Sequence, residues 1–145
     1  MEANIVNEEE FQNIMKEIRA NKPEKNWVCL TYEAPKSKNL VVAGSGDKGV
    51  DEMKGIFQEN QIYFGFVRET DQIDDSVTIK FAFINYIGDK SPRLQKAGVG
   101  MHRSSIQDKF GQFHVSHMCS DVNDVSDKII IEKIRNASGS AVHVL

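Results

Sequence analysis

Two apolar, β-prone runs at residues 61–69 and 77–87 flank a polar segment at 70–76, and this pairing restricts the fold more than anything else in the chain. Strands of this character joined by a short acidic connection make a long β-hairpin. The second run breaks at Gly88-Asp89 and passes through Ser91-Pro92 into a segment rich in positive charge. Proline suits the first turn of a helix, and Ser91 is the expected cap. The helix is predicted to run to about Phe110 and to stop at Gly111, with Gly98 and Gly100 each costing it roughly 1 kcal/mol relative to alanine. Leu94, Ala97, Val99, Met101, Ile106 and Phe110 are the positions expected to pack it on the sheet.

The remaining elements follow from periodicity and punctuation. Asn7 before Glu8, Glu9 and Glu10 predicts a helix start with a capping box. Phe11, Ile14, Met15 and Ile18 then mark one buried face, and Pro23 lies just past the end. Runs at 27–33 and 40–43 predict a hairpin. Glycine-rich residues 44–49 read as a loop, followed by a short helix carrying Val50, Met53, Ile56 and Phe57. A short strand is expected at 112–116. A last helix is expected at 121–135, with Val122, Val125, Ile129, Ile130 and Ile134 inward and Gly139 beyond its end. The order α-β-β-α-β-β-α-β-α predicts an α/β (α+β) fold, a single domain over residues 1–139 whose central mixed sheet is sandwiched between helices. Residues 140–145 are expected to form a loose tail.

Charge is distributed unevenly. Lys90, Arg93, Lys96, Arg103 and Lys109 face only Asp89 and Asp108 between positions 89 and 109, while the whole chain of 145 residues carries a net charge of −3. A basic element on an acidic body suits docking to an acidic partner. The pI near 5.8 argues against non-specific nucleic-acid binding. No apolar run approaches the roughly 20 residues of a membrane span, and the N-terminal segment lacks the pattern of a secretory signal. Cys29 and Cys119 form no CxxC pair and read as reduced thiols of a cytosolic protein.

Motifs for chemistry are weak. Gly44, Gly46 and Gly49 formally match GxGxxG, and Glu69 lies at the distance of a ribose-binding acid, so a small nucleotide-binding enzyme is one reading. The tight hairpin before the motif, the short helix after it and the negative charge of Asp47 favour a plain turn instead. His114, His117 and Cys119 are too few for zinc, and two of them would point to opposite faces of a strand. No nucleophile elbow or other catalytic signature is present. Asp74 and Asp75 fall in the polar connection, where solvation accounts for them. Neither catalysis nor a cofactor or metal is expected.

The stretch KFAFINYIGDKSPRLQKAGVGM, from Lys80 to Met101, resembles the strand-to-long-helix segment of the actin-depolymerising-factor homology family, in particular its coactosin members. The shared pattern is a lysine-led apolar strand ending in an aromatic residue, then Gly88-Asp89, then Leu94-Gln95-Lys96-Ala97-Gly98-Val99. Trp27-Val28-Cys29-Leu30-Thr31-Tyr32 is similar to the family's first strand, and Val42-Ala43-Gly44-Ser45-Gly46 to its glycine-rich second turn. The resemblance implies non-enzymatic actin binding by a cytoplasmic monomer at the actin cytoskeleton. The first half of the long helix would lie in the cleft between two actin subdomains. It also implies roles for residues: Lys96 and Arg103 match basic positions of the family, and Arg93 and Lys90 lie beside them. Val99 and Met101 would add apolar contact. Arg68, Lys80, Lys128 and Lys133 fall on the long hairpin and last helix, the family's filament-specific contact. Coactosins carry two further lysines where this chain has Gln95 and Gly98. The hairpin connection from Asp71 to Asp75 is acidic, unlike its basic counterpart in severing members, which favours filament side-binding. Binding to monomeric actin on the same fold is the alternative.

Overall fold

The computed structural model describes residues 3–73 and 75–143. One six-stranded mixed sheet runs in the order β1-β3-β2-β4-β5-β6, formed by β1 (Asn4–Ile5), β2 (Trp27–Tyr32), β3 (Asn39–Gly46), β4 (Ile62–Ile73), β5 (Ser76–Ile87) and β6 (Val115–Cys119). The two outermost pairings, β1 with β3 and β5 with β6, are parallel, and the others are antiparallel. Among the described residues the α-helices are α1 (Glu8–Arg19), α2 (Gly49–Met53), α3 (Arg93–Phe110) and α4 (Asp127–His143).

Strand alternation divides the core into two layers. Ile62, Phe64 and Phe66 of β4 join Val28, Leu30 and Phe83 on one face, under Phe11 and Ile18 of α1 and Val99, Ile106 and Phe110 of α3. Tyr63 and Val67 join Cys29, Ala82, Ile84 and Tyr86 on the other face, under α2 and α4 through Met53, Ile130 and Ile134. Both faces of the central strands are therefore covered, which explains why these runs are apolar throughout and do not alternate with polar residues. Arg19 locks the ends of the first layer together. Its guanidinium donates to the carbonyls of Phe110 (3.0 Å) and Gln112 (2.8 Å) and lies over the rings of Phe66 and Phe81. Gly111, at φ 84°, turns the chain out of α3 beneath it.

Several sequence expectations need correction. Asn7 does precede α1, but its side chain donates to Glu10 Oε2 (2.9 Å) and accepts no helix N–H. Ser91 is not the α3 cap, because Pro92 itself occupies that position with extended backbone. The loop expected at 44–49 shrinks to a bend at Asp47 and Lys48. Gly44 and Gly46 lie in β3, paired with Cys29 and Trp27. A Cβ on Gly44 would press on Trp27 and Ile56, and one on Gly46 would collide with Glu52 Oε1 and Trp27 Nε1. These glycines make room for the indole, whose Nε1 donates to Glu52 at 2.7 Å. The Gly49 N–H, which a phosphate would need, donates to Asn26 Oδ1 at 2.9 Å. The nucleotide-loop reading thus loses its basis.

Other boundaries move as well. The helix expected after Gly49 is confined to α2 and one 3₁₀ turn, Lys54–Ile56. Strands β4 and β5 extend through most of the expected polar connection, so Asp71 pairs with Thr78 inside the sheet. Asp74 lies outside the described residues. The last strand begins at Val115, later than expected, because His114 is already tied back to Phe81 by both its backbone and its ring. A 3₁₀ turn, Val122–Asp124, precedes α4, and Ser126 caps the helix by accepting from the Ile129 N–H. Helix α4 continues through Gly139 to His143, beyond the expected stop; residues 144 and 145 lie outside the description.

Candidate functional site

Helix α3 lies across the sheet on the same face as α1, and its inner stripe is Val99, His102, Ile106 and Phe110. His102 occupies a position that the sequence reading left to apolar residues. It stacks on Tyr32 and shares a 3.0 Å hydrogen bond between its Nδ1 and the tyrosine hydroxyl. Burial pushes that hydroxyl's pKa up to about 12. Val99 is 1% exposed and belongs to the core, so a partner cannot reach it. Leu94 and Met101, expected to pack inward, are instead 84% and 73% exposed. A rotation of about 100°, one residue along the helix, separates the two readings, since positions 94, 98 and 101 form their own stripe at helical spacing.

The cations of this region differ in how much the protein itself holds them. Lys109 pairs with Glu8 of α1 at 2.6 Å, and Lys90 pairs with Glu59 at 3.3 Å on the exposed surface. Arg103 Nε donates to Asn85 Oδ1 (3.1 Å), and Asn85 is fully buried and in turn donates to the Tyr63 carbonyl. The Lys96 ammonium folds back on the carbonyl of Asp89 from an exposed position. Among the described residues, no hydrogen bond or ion pair engages the exposed Arg93 guanidinium. Lys96 and Arg103, seven residues apart, share the flank of α3 that faces β5. Leu94, Gly98 and Met101 share the other flank, toward the β2–β3 loop. The solvent face between them carries Arg93, Ala97 and Gly100.

Gly98 and Gly100 sit in this exposed helix although a Cβ at either would meet nothing within 4 Å. No packing inside the chain requires them. Gly98→Ala and Gly100→Ala are therefore each expected to stabilise the fold by about 1 kcal/mol, raising the melting temperature by roughly 3 °C. A drop in melting temperature would mean that α3 is distorted at these positions.

The second group of predicted residues lies around the β4–β5 hairpin and α4. Arg68 Nη1 donates to the carbonyls of Ile18 and Ala20, each at 2.7 Å, so it serves the C-terminal end of α1. Lys80 stands opposite Glu69 in the hairpin register. Lys133 Nζ lies 3.2 Å from His117 Nδ1, and Lys128 is exposed. His117 also bonds the Asp124 carbonyl through Nε2, so His114 and His117 each have a separate structural task. Two acids to which the sequence suggested other roles lie buried in this region. Asp71 is buried and pairs with Arg135 of α4 at 3.6 Å. Glu69, also buried, lies beside Asp127 and Asp51. Burial first, and then the Asp127 carboxyl, push its pKa up to about 9.

Comparison with known proteins gives this geometry its context. Residues 4–135 match the family model of cofilin/tropomyosin-type actin-binding proteins. The chain belongs to that family. Coactosin of Dictyostelium discoideum is 27% identical over 136 residues, covering 93% of this chain and 92% of that protein. In three dimensions the chain is similar to the crystal structure of coactosin from Entamoeba histolytica, with a TM-score of 0.82 at 20% identity over 94% of this chain and 97% of that one. It is also similar to the solution structure of mouse coactosin, described as an actin filament binding protein, with a TM-score of 0.75 at 22% identity over 94% and 93%. These structural likenesses establish the fold. Helix α3 presents an uncovered apolar and basic face, with Leu94 and Met101 beside Arg93 and Lys96.

Proposed function

We propose that this protein binds the sides of actin filaments, as a monomer in the cytoplasm, without enzymatic activity or cofactor. Its primary contact is the exposed face of α3. The observation that carries the reading is that face itself: Leu94 and Met101 stand uncovered while Lys96 and Arg93 remain available for acidic groups, in a chain of an actin-binding family. Exposed large apolar residues next to cations make a docking surface of mixed character. The apolar part supplies burial, and the charges supply steering and charge-assisted hydrogen bonds. The β4–β5 hairpin and α4, with Lys80, Lys128 and Lys133, form the second contact, which only a filament presents. Arg68, Lys90 and Lys133, each already engaged within the chain, contribute less. Filament binding is further supported by the description of mouse coactosin as a filament-binding protein. The acidic hairpin tip at Asp75 favours side-binding over severing.

Monomer binding and filament binding are separated by a native-gel shift with monomeric actin run beside pelleting with filaments. The expected result is depletion from the supernatant with filaments, a weak or absent shift with monomers, and filaments of unchanged length in fluorescence microscopy. A strong monomer shift without pelleting would replace filament binding by sequestration, and shortening filaments would overturn side-binding without severing.

A further inference from the structure

The loop between β2 and β3 lies against the apolar flank of α3 and leaves a groove of about 460 Å³ between them. Its walls include Leu94, Gly98 and Met101 on the helix and Pro35, Lys36 and Lys38 on the loop. We propose that this groove is a part of the actin-binding surface, resting on the function proposed above. It takes an apolar side chain of actin, while Lys36 and Lys38 pair with carboxylates that flank that side chain.

Three observations lead there. The groove is prearranged, because Gln95 Nε2 donates to the carbonyls of both Ala34 (2.8 Å) and Ser37 (3.1 Å) and so fixes the loop to the helix. A site that needs no ordering on binding keeps more of its contact energy. The groove is also open at its centre, since Gly98 contributes no side chain and a Cβ there would meet nothing within 4 Å. Finally, its rim is basic. Lys36 and Lys38 are exposed, and among the described residues neither enters an ion pair. On α3, by contrast, Lys109 is paired with Glu8 and Arg103 is bound to buried Asn85, and Lys90, just before the helix, is paired with Glu59. The loop lysines thus add positive charge on the side of the apolar stripe away from Lys96 and Arg103. The occupant that fits combines an apolar projection with acidic neighbours. An acidic partner surface of the kind already invoked for Lys96 supplies both along one continuous interface.

The test uses the full chain in filament pelleting at moderate salt, with the melting temperature of each variant recorded. The K36E/K38E double variant is expected to lose about tenfold in affinity with an unchanged melting temperature. Gly98→Leu, which fills the groove without altering charge, is expected to lose a similar factor while melting no lower than the wild type. Wild-type affinity in both variants, with binding lost in Lys96→Glu, would overturn the groove while leaving the α3 reading intact. Failure of the wild-type chain to pellet would instead overturn the function on which the groove depends. Concentration-dependent dimers in sedimentation velocity, abolished by Gly98→Leu, would make a second copy of this chain the occupant and overturn the assignment to actin.

Discussion

Lys96→Glu lowers the affinity for actin filaments by about tenfold or more in pelleting at low salt, with little change in stability. The side chain is exposed, and among the described residues its ammonium bonds only the Asp89 carbonyl, so reversal breaks no buried contact. Surface changes of this kind usually move stability by about 0.5 kcal/mol or less. Against an acidic partner, the substitution replaces an attraction by a repulsion. Like-charge juxtaposition at an interface costs several kcal/mol when desolvated, and about 1.4 kcal/mol already gives a factor of ten. The loss shrinks as salt rises, because the Debye length falls from about 10 Å at 0.1 M to about 3 Å at 1 M. Arg103→Glu is the instructive contrast. Arg103 satisfies the amide oxygen of buried Asn85 at 3.1 Å, so its replacement weakens the fold together with any binding. Unchanged affinity in Lys96→Glu would move the contact off this flank of α3.

Glu69→Gln is expected to stabilise the protein on the alkaline side and to remove a slope from its pH–stability profile. Glu69 is 6% exposed, with Asp127 of α4 and Asp51 of α2 against it and Lys80 opposite it on β5. Its pKa, raised from 4.5 to about 9 mainly by burial, keeps the folded-state carboxyl protonated at neutral pH. The unfolded chain releases that proton above about pH 4.5. Between these two values the folded state binds more protons than the unfolded one, so stability falls as pH rises. The full contribution is present below pH 4.5 and is gone above about 9. Glutamine keeps the shape and the hydrogen-bonding capacity but cannot ionise. Urea unfolding of both proteins from pH 4 to pH 9 should therefore show curves that meet at the acid end and diverge toward the alkaline end. The gap there is on the order of a few kcal/mol after allowance for solvent screening. Parallel curves would show that Glu69 ionises normally in the folded protein.

How legible these features were depended on whether the signal was local. The buried face of α1 could be read from Phe11, Ile14, Met15 and Ile18, because helical spacing alone defines it. On α3 the same rule was ambiguous. Val99, Ile106 and Phe110 form one stripe and Leu94 and Met101 another, and only contact with the sheet decides which turns inward. His102 concealed the answer, since its burial depends on Tyr32, seventy residues away in sequence. Glu69 and Asp71 were readable in principle. They continue the parity of Tyr63 and Val67 in β4, which assigns them to the α4 side, but the expected strand stopped at Glu69 and left Asp71 in the polar connection. The β3 glycines imitated a phosphate loop because their actual neighbour, Trp27, lies on another strand. The groove beside α3 had no local trace at all, since it depends on Gln95 meeting a loop about sixty residues earlier.

The most direct measurement is quantitative pelleting of the unmodified protein with filamentous actin at moderate salt. The reading advanced for α3 predicts saturable co-sedimentation that weakens as salt is raised. Absence of the protein from the pellet at tens of micromolar would contradict it.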